Sequence, residues 1–230
     1  MKKKLVVSTG AGISAESGIS TFRDAGGLWE SYPVMDVASA DGFARNPELV
    51  HRFYNERRKA LLAAEPNGAH RMLRELEKDY DVCIITQNVD DLHERAGSSH
   101  VLHLHGELMK ARAIDDPSLT FRLTEESLET TPATVIDGHR VRPHIVFFQE
   151  AVPMFEPATE LAAEADIFVI IGTSLAVYPA AALIRYVRPG VPVYYIDPRP
   201  ADVPAYVHVI KAGATEGMTE LCKILLHDKQ

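Results

Sequence analysis

Residues 8–24 read STGAGISAESGISTFRD and follow the apolar run LVV directly. Within them, Gly10-Ala11-Gly12-Ile13-Ser14-Ala15 fits the pattern G-x-G-x-x-G/A. Small residues at such spacing let the backbone approach a pyrophosphate, and a following helix N-terminus attracts its charge. A plain strand–helix turn would read the same way, so the continuation matters more. A hydride-transfer enzyme runs on through a helix to a second strand ending in a ribose-binding acid. Here Gly18 is followed by Thr21-Phe22-Arg23-Asp24-Ala25-Gly26-Gly27, a loop carrying one cation and one anion, which reads as a lid over a bound cofactor.

Three further stretches hold reactive or hydrogen-bonding side chains directly after an apolar run. Thr86-Gln87-Asn88-Val89-Asp90 follows DVCIIT, His105-Gly106-Glu107 follows VLHLH, and Gly172-Thr173-Ser174 follows IFVII. Ligands in open α/β sheets bind beyond the carboxyl ends of the strands, so all four stretches can converge. An imidazole such as His105 can accept a proton near neutral pH. His103 shares its strand face by period-two alternation, which could suggest a metal pair, but no third ligand is obvious. Tyr54 and Arg57 stand three apart, on one face of a helix. By spacing alone they read as a half-buried tyrosine beside a solvated arginine.

The elements that must position these groups alternate. Strand-type runs occur at KLVVS, DVCIIT (81–86), VLHLH (101–105), HIVFF (144–148), IFVIIG (167–172), VPVYYI (191–196) and VHVI (207–210). Several are apolar on both faces, as strands of a helix-covered parallel sheet should be. Between them lie helical patterns: GAHRMLRELEKDY capped by Asn67, VDDLHERAG stopped at Gly97, ATELAAEA with Pro157 in its first turn, and TEGMTELCKILL. The fold class expected is α/β, a Rossmann-like doubly wound parallel sheet. Two segments break the alternation. Residues 31–66 hold a strong helix, PELVHRFYNERRKALLAA, with Asn46 as cap and Pro47 at its first position. Residues 109–142 are polar, with an Asp137-Gly138 turn suggesting one small hairpin. Both read as insertions forming a small second lobe, leaving 1–30, 67–108 and 143–230 to the dinucleotide-binding domain.

Composition narrows the class. A formal charge of −8 argues against a surface for nucleic-acid phosphates, which needs clustered Lys and Arg, while leaving room for a local basic pocket. An acidic surface also suits a basic protein tail as substrate. Cys83 and Cys222 both lie in apolar runs and read as buried thiols of a reducing compartment. The apolar run after Met-Lys-Lys-Lys ends at Val7, too short for a signal h-region, and no stretch approaches membrane-spanning length. A cytoplasmic, monomeric protein without a membrane or direct nucleic-acid partner is expected.

GAGISAESGISTFRD, TQNVDDLHERAG, LHGEL, RPHIVFF, GTSLAVYPAA and the FYNERR helix, in this order, resemble the sirtuins, NAD-consuming protein deacylases. The likeness runs from residue 10 to about 214. It implies that the acyl oxygen of an acylated lysine attacks the ribose carbon bearing nicotinamide, that nicotinamide leaves, and that the acyl group ends on ADP-ribose. His105 then matches the general base, and Asn88 and Asp90 the groups that handle the nicotinamide end. Gln87 would bond the adjacent ribose, and Phe22 and Arg23 would belong to the water-excluding lid. Gly10, Ala11, Gly12, Ile13 and Ala15 would hold the pyrophosphate. Gly172, Thr173 and Ser174 would take the phosphate–ribose portion, Asp197 would lie near the adenosine ribose, and Ala214 near adenine. In the branch that removes succinyl, malonyl and glutaryl groups, a Tyr-x-x-Arg pair like Tyr54 and Arg57 binds the acyl carboxylate through a planar fork and a hydroxyl. Phe148 would line the acyl-lysine tunnel.

The chain also departs from the family pattern. Most sirtuins carry four cysteines between the histidine and the RPHIVFF-like strand, whereas residues 106–147 contain none. Asp115, Asp116 and His139 are a poor substitute for a tetrahedral thiolate site. No structural zinc is expected, and Leu119, Phe121, Leu123, Leu128, Val135, Ile136 and Val141 are the candidates for an apolar core instead. Ser20 stands for a usual proline, Phe147 for tryptophan, Gln149 for glycine and Asp197 for asparagine. The expected activity is NAD-dependent protein-lysine deacylation, favouring acidic acyl groups with some deacetylation. The rivals are ADP-ribosyl transfer or NAD hydrolysis on the same scaffold, and a non-catalytic NAD or ADP-ribose sensor.

Overall fold

The computed structural model describes residues 2–20 and 32–227. Phe22 and Arg23, expected in the lid, lie outside the described residues. Strand β1 (Lys4–Thr9) leads into a 3-10 helix, Ala11–Ser17, where a helix start was expected, and Gly18 closes it at φ 82°. There follow α1 (Val34–Val37), α2 (Ala40–Arg45), α3 (Pro47–Ala63), α4 (Gly68–Leu76), β2 (Asp81–Thr86), α5 (Leu92–Arg95), β3 (Val101–His103), β4 (Gly106–Ala113), β5 (Thr120–Arg122), β6 (Val135–Ile136) and β7 (His139–Ile145). The chain ends through α6 (Phe155–Glu164), β8 (Ile167–Ile171), a second 3-10 helix (Ala180–Tyr186), β9 (Val193–Ile196), β10 (Val207–Ile210) and α7 (Ala214–His227).

Six strands form one parallel sheet in the order β10-β9-β8-β1-β2-β3. The chain builds outward from β1 to β3, then restarts at β8 on the other side of β1. That reversal leaves a crevice beyond the ends of β1 and β8. Alternation along β1 sends Leu5 and Val7 to one face, against Leu73 of α4 and Leu221 of α7. Val6 goes to the other face, against Ala158 and Ala162 of α6 and Leu183. Both faces are covered, which explains why these strands are apolar throughout. No helix among the described residues is long and apolar enough to cross a membrane.

A second, four-stranded antiparallel sheet has the order β5-β4-β7-β6. Here the sequence expectation needs correction. The expected hairpin at Asp137-Gly138 is present as β6 and β7, but residues 109–142 hold more, since β4 and β5 also pair. β4 hid because Lys110 and Arg112 make it read as polar, although Ala111 and Ala113 alternate with them into the buried face. HIVFF is not a separate strand over 144–148: its first two residues end β7, and β7 pairs with β4 from Gly106↔Ile145 to Ala113↔Val141. Both strands therefore run across the boundaries placed at 108/109 and 142/143. VLHLH is a strand only over Val101–His103. The small core is Ala111, Leu123 and Val141, flanked by Phe121 and Ile136, with Leu128 buried nearby. Leu119 and Val135 do not belong to it, being 38% and 56% exposed.

Helix α3 packs against β4 and β7 of the small sheet. Asn46 accepts a hydrogen bond from the Leu49 amide at 3.0 Å, and Pro47 fills the first position, where its missing N–H costs nothing. Its buried Val50, Phe53, Tyr54 and Leu61 pack with Leu108, Ile145 and Phe147. Each such apolar side chain contributes about 1.5–3 kcal/mol of burial.

Candidate active site

The turns after β1 and β8 touch backbone to backbone. The Gly10 amide donates to the Ile171 carbonyl at 3.0 Å and the Gly12 amide to the Gly172 carbonyl at 2.8 Å. Gly172 sits at φ 62°, and a Cβ there would stand 2.4 Å from the Ile13 nitrogen. Any side chain at 172 would force the turns apart. Beyond them opens a cleft of about 650 Å³ reaching down to α3 and the 147–150 segment.

The cleft brings together Gly10, Ala11, Gly12, Ala15, Gln87, Asn88, Asp90, His105, Gly172, Thr173, Ser174, Asp197 and Ala214, and on the α3 side Tyr54, Arg57 and Phe148. Ile13 is the exception among the expected binding residues. Its side chain is fully buried in the core between the sheet and α7, since the 3-10 turn rotates it inward.

Hydrogen bonds tie the converging turns to each other. Asn88 Nδ2 donates to the Gly10 carbonyl and to Ser14 Oγ, both at 3.2 Å. Ser14 Oγ donates in turn to Asp90 Oδ2 at 3.0 Å, and the Leu92 amide donates to Asp90 Oδ1. Gln87 Nε2 donates to Thr173 Oγ1 at 3.2 Å. Burial pushes the Asp90 carboxyl above the usual range, with the Leu92 and Ser14 hydrogen bonds opposing. Ser14 was missed by sequence reasoning; the only signal was its place in the glycine loop.

His105 Nδ1 lies 3.0 Å from the Gln87 carbonyl. A carbonyl only accepts, so Nδ1 carries the proton and Nε2 keeps a lone pair. Nε2 has no hydrogen-bond partner among the described residues. Burial lowers the His105 pKa, against a smaller opposing effect of the Gln87 carbonyl. A neutral imidazole at the cleft wall can take a proton.

At the α3 end, adjacent arginines have different fates. Arg58 is fully buried. It donates to the carbonyls of Leu108 and Leu128, to Asn55 Oδ1 and to Thr130 Oγ1. Arg57 is half-buried at the cleft, its guanidinium 5.6 Å from the Phe53 ring centroid. It has no carboxylate partner among the described residues. Burial lowers its pKa. Tyr54 is 4% exposed, and burial raises its hydroxyl to about 12, so it stays protonated and able to donate. Phe147 is buried 6.0 Å from the Tyr54 ring, while Phe148 is 44% exposed. Phe148 is held by its amide to the Ala38 carbonyl and by its carbonyl to the Ala40 amide.

Among the described residues the one grouping of three metal-ligating side chains is Asp81, Cys83 and His100, at the start of β2 and β3 and away from the cleft.

Residues 10–179 match the Sir2 family. The chain is 55% identical over 230 residues to an NAD-dependent protein deacylase of Bacteroides thetaiotaomicron, covering 97% of this chain and 98% of that one. It superposes on a Sir2 homologue solved in complex with NAD at a TM-score of 0.87 and 38% identity, covering 100% of this chain and 91% of that chain. It also superposes on a Sir2 variant solved with a deacetylated p53 peptide and 3′-O-acetyl ADP-ribose, at a TM-score of 0.84 and 31% identity, covering 97% and 94%. Six ordered motifs, a reversal of strand order that gathers four of them at one cleft, and relatives matched over nearly their whole length agree: the chain belongs to the Sir2 family.

Proposed function

We propose that this chain is an NAD-dependent protein-lysine deacylase whose preferred acyl groups end in a carboxylate, succinyl and malonyl, with some deacetylase activity. The observation that carries the acyl preference is Arg57: a half-buried guanidinium at the cleft, without an ion-pair partner among the described residues, one helical turn from a protonated Tyr54 hydroxyl. A desolvated cation favours an anionic partner, and a guanidinium fork matches a carboxylate with two parallel bonds.

The cleft fits a dinucleotide. The glycines let the two turns pack against each other and line the cleft with backbone, and Thr173, Ser174, Gln87 and Asp197 supply donors and acceptors along one wall. NAD, when bound, supplies the activated ribose that accepts the acyl group. His105 Nε2 takes a proton from a ribose hydroxyl, Asn88 and Asp90 orient the nicotinamide end, and Phe148 borders the acyl-lysine passage. Two observations support a small lobe that needs no structural zinc: residues 106–147 have no cysteine, and Arg58 ties their β-sheet to α3.

The test is nicotinamide release from NAD with matched acetyl-lysine and succinyl-lysine peptides and with no peptide. Faster release on the succinyl peptide, coupled to loss of its acyl group, is expected. Release that needs no peptide would replace deacylation with NAD hydrolysis. No release despite NAD binding would leave a sensor.

A further inference from the structure

His103 ends β3 two residues before His105, and both imidazoles lie against the backbone of residues 87–88. His105 Nδ1 is 3.0 Å from the Gln87 carbonyl, and His103 Nδ1 is 3.1 Å from the Asn88 carbonyl. The second nitrogens differ. His103 Nε2 lies 2.8 Å from Glu94 Oε1 on α5, and the His103 side chain is only 8% exposed. A carbonyl oxygen and a carboxylate oxygen both accept, so His103 satisfies both contacts only with a proton on each nitrogen. His105 has no second acceptor among the described residues and can stay neutral. Two histidines on one short stretch thereby differ in charge, one cationic and one neutral, and the difference between them is Glu94.

We propose that His103, held by Glu94, is a positioning residue for the 88–90 turn: its imidazolium fixes the Asn88 carbonyl, and with it the turn that presents Asn88 and Asp90 to the cleft. The inference rests on the deacylase reading of that cleft. His103 touches no reacting atom. It acts through the peptide unit between two residues that line the site, and its positive charge also opposes the effect of burial on the Asp90 carboxyl.

The charged and titratable groups facing His103 come from three elements besides its own. They are Glu94 and His93 on α5, Asp90 in the turn, and Glu107 at the start of β4, with Lys110 paired to Glu107 at 2.6 Å. Burial holds His93 well below the ordinary imidazole value, so it adds no charge near neutrality. Burial alone would lower His103 as well. The hydrogen bond and charge of Glu94, helped by the Asn88 carbonyl and Glu107, outweigh it and hold His103 above the ordinary value. As pH rises past that value, one nitrogen loses its proton and a lone pair faces an acceptor. The clamp is present below that pH and lost above it.

The experiment is kcat/KM for NAD against pH, at saturating succinyl-lysine peptide, for the full chain and for His103→Gln and Glu94→Gln. The unaltered protein should show an acid limb, set by protonation of His105, and an alkaline limb. Glu94→Gln should move the alkaline limb to lower pH. His103→Gln should remove it, while lowering kcat/KM for NAD about tenfold, the usual worth of one hydrogen bond to a charged group, and leaving the peptide KM unchanged. A purely structural role would lower rates equally at every pH. An alkaline limb that stays in place in both variants would overturn the proposal. If His103→Gln does not fold, the Glu94→Gln limb decides alone. If the unaltered protein binds NAD but deacylates no peptide, the deacylase reading fails instead. The pH dependence of NAD affinity in the same variants then decides His103 on the same criterion.

Discussion

The Arg58 guanidinium donates from Nε to the Leu108 carbonyl at 2.9 Å, linking the middle of α3 to β4 with no part of the residue exposed. Its Nη1 reaches Leu128, Thr130 and Asn55, while Asn55 Nδ2 donates to the Thr130 carbonyl and Asn55 Oδ1 accepts from the Thr130 amide. A buried side chain thus ties the small lobe to α3. Arg58→Met should therefore destabilise the protein by about 3 kcal/mol, because two buried carbonyls lose their donor. A melting curve should fall by roughly 10 °C. A chelator should leave the melting temperature of the unaltered protein unchanged, and a chelator-induced fall would contradict the zinc-free account.

Replacing His105 with alanine should reduce deacylation by at least about a thousandfold, the scale of general-base loss. NAD affinity, measured by calorimetry, should stay within about threefold, because the cofactor's contacts are distributed along the cleft. Substantial residual turnover would remove the general-base role.

Arg57→Met should separate the acyl groups. Losing a charge-assisted, bidentate contact of about 2 kcal/mol lowers kcat/KM for desuccinylation about thirtyfold. Deacetylation should change by less than about threefold. Equal loss on both substrates would make Arg57 a packing residue.

Acid should destabilise the fold through its buried histidines, His51 and His70 among them. His51 is 1% and His70 0% exposed, and burial lowers each to about 4. Nearby Arg58 adds to the lowering at His51. The unfolded chain binds these protons near pH 6.5 and the folded one does not, so the stability these two rings contribute is lost as pH falls from 6.5 to 4 and changes no further below. Each histidine contributes about 3 kcal/mol across that window. Urea melts at pH 7 and pH 5 should show this loss; equal midpoints would mean that both rings accept protons in place.

Much of the site was readable because the chain marks strand ends locally. The glycine turn, TQNVD, His105 and GTS each follow a short apolar run. In a sheet covered on both faces, the first polar residues after such a run emerge at its edge. Asn46-Pro47 and Asn67 announced the starts of α3 and α4 by the same local logic, since a cap needs only its own next three residues. β4 escaped because an alternating strand with lysine and arginine on its open face has no apolar run to betray it.

The local pattern therefore determined the fold class, the caps and the inventory of reactive groups. Which strands are neighbours, and which side chain of two equals faces the cleft, depended on distant pairing. Arg57 and Arg58 are chemically identical and adjacent, yet one helical step of about 100° turns one toward the cleft and the other onto Leu108, Leu128 and Thr130. His103 and His105 read alike until α5 brings Glu94 to the first of them. Charge state and exposure belong to the surroundings that a fold assembles in space, and the residue pattern along the chain does not display them, even for partners nine residues apart.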